Sequence, residues 1–153
     1  MLRTLITLAV LATATHAAAD TYQLVDFAQS SADLIDRTTI SRNGAIVDYQ
    51  SLFVVYKPFP GPGGENSYAI GQSRIDCQLN KIEFVDATGY NDNGQEVYGV
   101  PILPAWENVV PGTDNEAAEK TVCHPASPKD LLFTGDLHSV IGAVRAAYQA
   151  KKR

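Results

Sequence analysis

The chain is poor in the residue types from which most catalytic and metal centres are built. Its 153 residues include two cysteines, three histidines, one methionine and one tryptophan. His16 lies in the N-terminal leader, and the other two histidines, His124 and His138, have no Cys or carboxylate spacing of a zinc site. No metal or cofactor is expected. Basic residues are also scarce: 12 Lys and Arg stand against 17 Asp and Glu, a formal net charge of −5. Nucleic-acid binding needs a basic surface to neutralise phosphates, so that partner class is excluded. The one basic run, Lys151-Lys152-Arg153, is what a helix C-terminus favours through its dipole. The Gly-rich stretch from Gly61 to Gly64 is not followed by the Gly-Lys-Ser/Thr of a phosphate loop. Ser139 precedes Val140 rather than an elbow-type glycine, so no hydrolase nucleophile is read there. Beyond the leader no apolar run approaches the roughly 20 residues of a transmembrane helix.

What is present begins with an address. Arg3 precedes an apolar run from Leu5 to Ala14, which ends in His16-Ala17-Ala18-Ala19-Asp20. One positive charge, a short apolar stretch and small residues at the junction are the pattern of a secretory signal peptide. Residues 1–19 are assigned to it, with cleavage before Asp20 or, alternatively, after Ala17. No cysteine stands at the junction, so no lipid anchor is expected. Without the leader the balance is 11 basic to 17 acidic residues. The destination is the periplasm, the cell surface or the medium, where two cysteines default to a disulfide. A Cys77–Cys123 bridge closes a loop of about 46 residues, which the chain-entropy account values at about 4 kcal/mol.

Alternation predicts an antiparallel sheet. Thr21–Phe27 reads as a first strand, and Asp33–Asp36 as a short second followed by Arg37–Arg42. Asn43-Gly44 then supplies the positive φ angles of a type I′ hairpin turn. A long strand follows, Ala45 to Tyr56, with Val47, Tyr49, Phe53 and Val55 on one face and Ser51 as the polar exception there. Ile46, Leu52, Val54 and Tyr56 lie on the other, so the strand is expected to be central and covered on both sides. Pro58–Gly64 is expected to be a loop, because its prolines cannot donate to a ladder. Ser67–Leu79 carries Cys77, with Ala69, Gly71, Ser73 and Ile75 on the same face, small residues that leave room for close packing. After a turn at Asn80, Lys81–Tyr90 places Ile82, Phe84 and Tyr90 on one face. Asn91–Gly94 turns the chain into Gln95–Val100, where Pro101, Pro104 and Pro111 end the sheet.

Two helices complete the expectation. Thr113-Asp114-Asn115-Glu116 is a capping box that opens a short helix delivering Cys123. From Asp136 onward, Leu137, Val140, Ile141, Val144 and Tyr148 recur at helical spacing. That stripe either covers its own sheet or docks on a partner, a second copy of the chain included. The fold class is therefore α+β: a meander sheet of about six strands, a disulfide-tethered short helix and a C-terminal amphipathic helix. Residues 20–124 form the domain and 125–153 a linker and that helix.

Few residues suggest chemistry. Asp33 and Asp36 read as surface carboxylates at a strand end rather than an acid/base pair, and His124 as a surface loop residue. The protein is read as a non-enzyme. Seven tyrosines favour a binding face, since each carries an apolar body and a polar tip. Tyr49, Tyr68, Tyr90 and Trp106 are the candidate binding residues, Trp106 serving either as a core lid or as a ligand contact.

Across Asp20 to Cys123 a larger pattern runs: Leu34-Ile35-Asp36, Thr39-Ile40, Asn43-Gly44, Ile75-Asp76-Cys77, Tyr90 with Asn93-Gly94, Trp106, Pro111-Gly112-Thr113 and Val122-Cys123. In this it resembles the surface-adhesin protein E family of bacterial exported domains. The Asp-Cys pair ending a strand and the Pro-Gly-Thr helix start carry most of the likeness. The resemblance implies a sheet with a helix tethered by the Cys77–Cys123 disulfide, and adhesion to host extracellular-matrix or plasma proteins. The missing lipid-anchor cysteine and the helix after Cys123 depart from the shared pattern. The expected function is an exported, non-catalytic, adhesin-like binding protein of the bacterial envelope. Its alternative is a periplasmic structural or assembly protein that docks an envelope component on its C-terminal helix.

Overall fold

The computed structural model describes residues 19–153; the signal-peptide reading of residues 1–19 falls, but for Ala19, outside them. Eight strands form one antiparallel sheet: β1 (Asp20–Phe27), β2 (Ser31–Asn43), β3 (Ile46–Gly61), β4 (Gly64–Asp76), β5 (Lys81–Tyr90), β6 (Glu96–Pro101), β7 (Glu107–Asn108) and β8 (Leu132–Gly135). Their order is β6-β5-β4-β3-β2-β1-β8, with β7 pairing β5. Two helices accompany them, α1 (Asp114–Cys123) and α2 (Leu137–Lys151). The α+β meander stands, with eight strands rather than six. The two additions are short pieces, one in the Pro-rich connector and one in the stretch expected to be linker. β8 returns the chain to the free edge of β1, pairing Tyr22 with Phe133.

The central strand is covered on both sides, as its two apolar faces require. Leu34 and Ile35 are adjacent and both almost fully buried, yet they belong to different cores, because successive strand residues point to opposite faces. One core joins Leu34, Leu52, Val54 and Tyr68 to Val140, Ile141 and Val144 of α2. The other joins Ile35, Val47, Tyr49, Ile75 and Ile82 to Val122 of α1. Each fully buried Leu, Ile or Val contributes roughly 1.5–3 kcal/mol.

Local details depart from the sequence reading. The β2–β3 hairpin pairs Asn43 with Ile46, so its loop is Gly44-Ala45, one residue later than Asn43-Gly44. Only Gly44 has a positive φ, +63°, which is the requirement of a type II′ rather than a type I′ turn. The ladder also continues through the proline-rich stretch: Phe59, Pro60 and Gly61 pair with Asn66, Glu65 and Gly64. β2 leaves β3 after the Ser31–Val55 pair, so the prolines sit where β3 has one neighbour and a missing N–H can face the open side. In β5, pairing shifts between Gln72–Asp86 and Ser73–Phe84, leaving Val85 as a bulge. Alternation reverses there. Ile82 and Phe84 consequently face α1 while Tyr90 faces α2, where an unbroken strand would align all three.

The five stripe residues of α2 lie against their own sheet. Val140, Ile141, Val144 and Tyr148 are buried and Leu137 is partly so. The Tyr148 ring stacks on Tyr56 at 3.5 Å between centroids, and its hydroxyl donates to the Gln29 carbonyl at 2.6 Å. Asp136 caps α2, accepting from the Ser139 N–H at 3.0 Å. Arg145 fastens the helix: its guanidinium donates to the Val55 carbonyl at 3.0 Å, the Ser67 carbonyl at 3.2 Å and Asp92 at 3.0 Å. Ser67 in turn donates to Asp92. Replacing Arg145 by alanine should lower unfolding stability by about 1–2 kcal/mol, since the Ser67 and Val55 groups lose a charged donor. Arg145→Lys should recover little of it in the same denaturant titration, because an ammonium cannot reproduce the planar fork.

Candidate functional site

The helix that frames the site is fixed at one end. Cys77 and Cys123 form a disulfide with their Cα atoms 5.7 Å apart, as the resemblance implied. Two arginines of β2 act on the same helix end. Arg37 donates to the Thr121 carbonyl at 3.1 Å and to Gln23 at 2.6 Å, and Arg42 donates to the Val122 carbonyl. The last carbonyls of a helix have no intrahelical donor and carry the negative end of its dipole, so a guanidinium there stabilises twice over.

The other end of α1 is held more lightly. The capping box forms only in part: the Thr113 hydroxyl donates to the Val110 carbonyl at 2.6 Å, so it does not cap the helix. Glu116 reaches back one residue further than expected and accepts from the Gly112 N–H at 2.9 Å. It also pairs with Lys120, one turn on, at 2.7 Å.

Between this end of α1 and the sheet opens a cleft of about 240 Å³. Asp33, Tyr49, Ser51, Phe53, Ser73 and Phe84 line it from the strands, and Asp114, Asn115 and Ala118 from α1. Its floor exists because of small side chains. Ser51 on β3 stands opposite Gly71 on β4, with Ser73 diagonal to it, and a Cβ on Gly71 would come to 3.0 Å from the Ser51 hydroxyl.

Its electrostatics are set by burial. The Asp33 carboxyl is pushed up to about 6, first by burial and then by the negative charges of Asp114 and Asp26. Among the described residues no hydrogen-bond donor or cation reaches that carboxyl. Tyr49, buried beneath, keeps its proton to about 12 through burial, which outweighs the opposing hydrogen bond with Ser73. The cleft thus combines aromatic walls, a hydroxyl floor and a carboxyl with no partner. An acid whose charged form is disfavoured in a concave site is a functional candidate on physical grounds.

From the sequence, Asp33 and Asp36 read alike, as surface carboxylates at a strand end. Three residues apart in a strand, the two point to opposite faces. Asp36 is buried on the α2 side, accepting from the Thr38 N–H at 2.9 Å and its hydroxyl at 2.6 Å. The four candidate aromatics also part company. Tyr49 lines the cleft, whereas Tyr68 stacks on Tyr90 at 5.1 Å under α2. Trp106 lies in the connector before β7 with 40% of its surface exposed. His124 is exposed in the turn after α1. Phe53 and Phe84 were not singled out; the signal for Phe53 was its position two residues from the polar exception Ser51.

A sequence model of surface-adhesin protein E matches residues 22–124, about two thirds of the chain. No curated protein and no solved structure matches. The matched span runs from β1 through α1, taking in both cysteines and every residue of the cleft. The chain belongs to the surface-adhesin protein E family.

Proposed function

We propose that the protein is an exported, non-catalytic binding module of the bacterial cell envelope that engages a protein partner in the manner of an adhesin. Membership of the family carries the reading. The cleft beneath α1 supports it by offering a concave, aromatic-lined place for a partner to enter. Among the described residues no helix is long and apolar enough to cross a membrane. The partner is a host extracellular-matrix or plasma protein, or a component of the envelope. Docking through the stripe of α2 is disfavoured, because a partner would have to displace the helix from its own sheet.

Labelling intact cells with a membrane-impermeant reagent, alongside protease treatment, tests the reading. The expected result is a labelled, protease-sensitive protein, and retention of a matrix or plasma protein by the purified chain. Complete protection from both reagents on intact cells would place the protein in the periplasm and overturn the adhesin reading.

A further inference from the structure

The cleft has a chemistry that selects its ligand. Its lining residues include no lysine, arginine or histidine, while Asp33 lies within it and Asp114 stands at its rim. An anion would meet like charge on both sides. The N-terminus of α1 opposes this with roughly half a positive charge, which two carboxylates exceed. Drug-sized ligands occupy pockets of about 300–1,000 Å³, more than this space of about 240 Å³ provides. It suits a single extended side chain. Tyr49, Phe53 and Phe84 present aromatic surface, and Phe53 is 38% exposed at the mouth although large and apolar. Aromatic faces attract a desolvating cation, and a guanidinium is the cation that both stacks and pairs with a carboxylate.

We infer that the cleft between α1 and the sheet receives one basic side chain, arginine or lysine, of a protein partner, with Asp33 as its counter-charge and Phe53 against its apolar stem. The assignment rests on the reading of the protein as a binding module and names what that module recognises. An entering cation would supply the partner that Asp33 lacks and draw its carboxyl to the ionised form. Binding should therefore weaken on acidification. The ionisable groups acting on Asp33 are Asp26 of β1 and Asp114 of α1, and Tyr49 and Tyr56 of β3 feel its charge in turn.

The test is an NMR titration of the full chain with n-butylguanidinium, the head and whole stem of an arginine with a methyl group in place of its Cα, against n-pentanol as the uncharged counterpart. At about pH 8, above the titration of Asp33, n-butylguanidinium should give saturable shifts at Ser51, Phe53 and Ser73. Affinity should fall about tenfold at about pH 5 and in Asp33→Asn, a variant expected to fold more stably than its parent. Phe53→Ala, at an exposed position, should weaken it several-fold. Equal shifts with n-pentanol, no saturable shift, or undiminished binding in Asp33→Asn would overturn the inference. Retention of matrix or plasma protein that survives Asp33→Asn, without any n-butylguanidinium shift, refutes the cleft ligand and leaves the binding module standing. Binding of n-butylguanidinium by a chain that retains no protein has the reverse meaning.

Discussion

Replacing both cysteines by serine should cost about 4 kcal/mol of unfolding stability, the largest effect expected of any change described above. The bridge joins residues 46 apart, and in the chain-entropy account a cross-link of that span removes about 4 kcal/mol of freedom from the unfolded chain. The loss should be large relative to the total, since domains of this size are stable by only about 5–15 kcal/mol. Denaturant titration of the double variant against the oxidised parent measures it. The same experiment followed at the cleft has a second expected outcome. α1 has ten residues and a helix that short is marginal in water. Arg37 and Arg42 would remain as its chief anchors, so amide exchange in α1 should accelerate more than in β3. Equal acceleration in both would show that the bridge acts on the whole fold rather than on the helix.

Asp33→Asn should do the opposite and stabilise the protein, by up to about 3 kcal/mol at about pH 8. In the fold the carboxyl holds its proton to about 6, against an ordinary value of 3.8. As pH rises from about 4 to about 6, the unfolded chain therefore releases this proton before the folded one does. Stability from this group is complete below the unfolded value and declines until pH has passed the folded one. Asparagine keeps the shape and removes the charge, so the variant's stability curve should be flatter across that window. The gain should vanish at about pH 4, where the parent carboxyl is neutral as well. Variant and parent with identical pH profiles would remove Asp33 as a strained group. A residue that costs stability where it stands, in a concave site, fits the trade that binding sites impose on folds.

The elements that could be read from the sequence were those fixed by local chemistry. Alternation in β3 placed two cores on two faces, and the spacing of Leu137, Val140, Ile141, Val144 and Tyr148 gave α2 its buried side. Features decided by pairing partners were not accessible in that way. Pro58 and Pro60 extend a strand because β2 has already left that side, and nothing within the Pro-rich stretch itself reveals where its neighbour ends. The bulge at Val85 turns Tyr90 to the opposite face from Ile82, and strict alternation has no term for it. β8, four residues long, is a strand chiefly because β1 offers it an unpaired edge. Asp33 was misjudged for the same reason. Its surroundings come from α1, eighty residues away in the chain, and no neighbouring residue carries that information.

The bridge between Cys77 and Cys123 has a further consequence once the molecule is considered under tension. Residues pulled out of a fold lengthen a tether by at most about 3.3–3.6 Å each. The 46-residue span between the two cysteines encloses β5, β6, β7 and α1, so roughly 160 Å of chain is withheld from any pull applied outside it. Pulled at its two ends, the domain would therefore lengthen by that much less with the bridge intact than with it reduced.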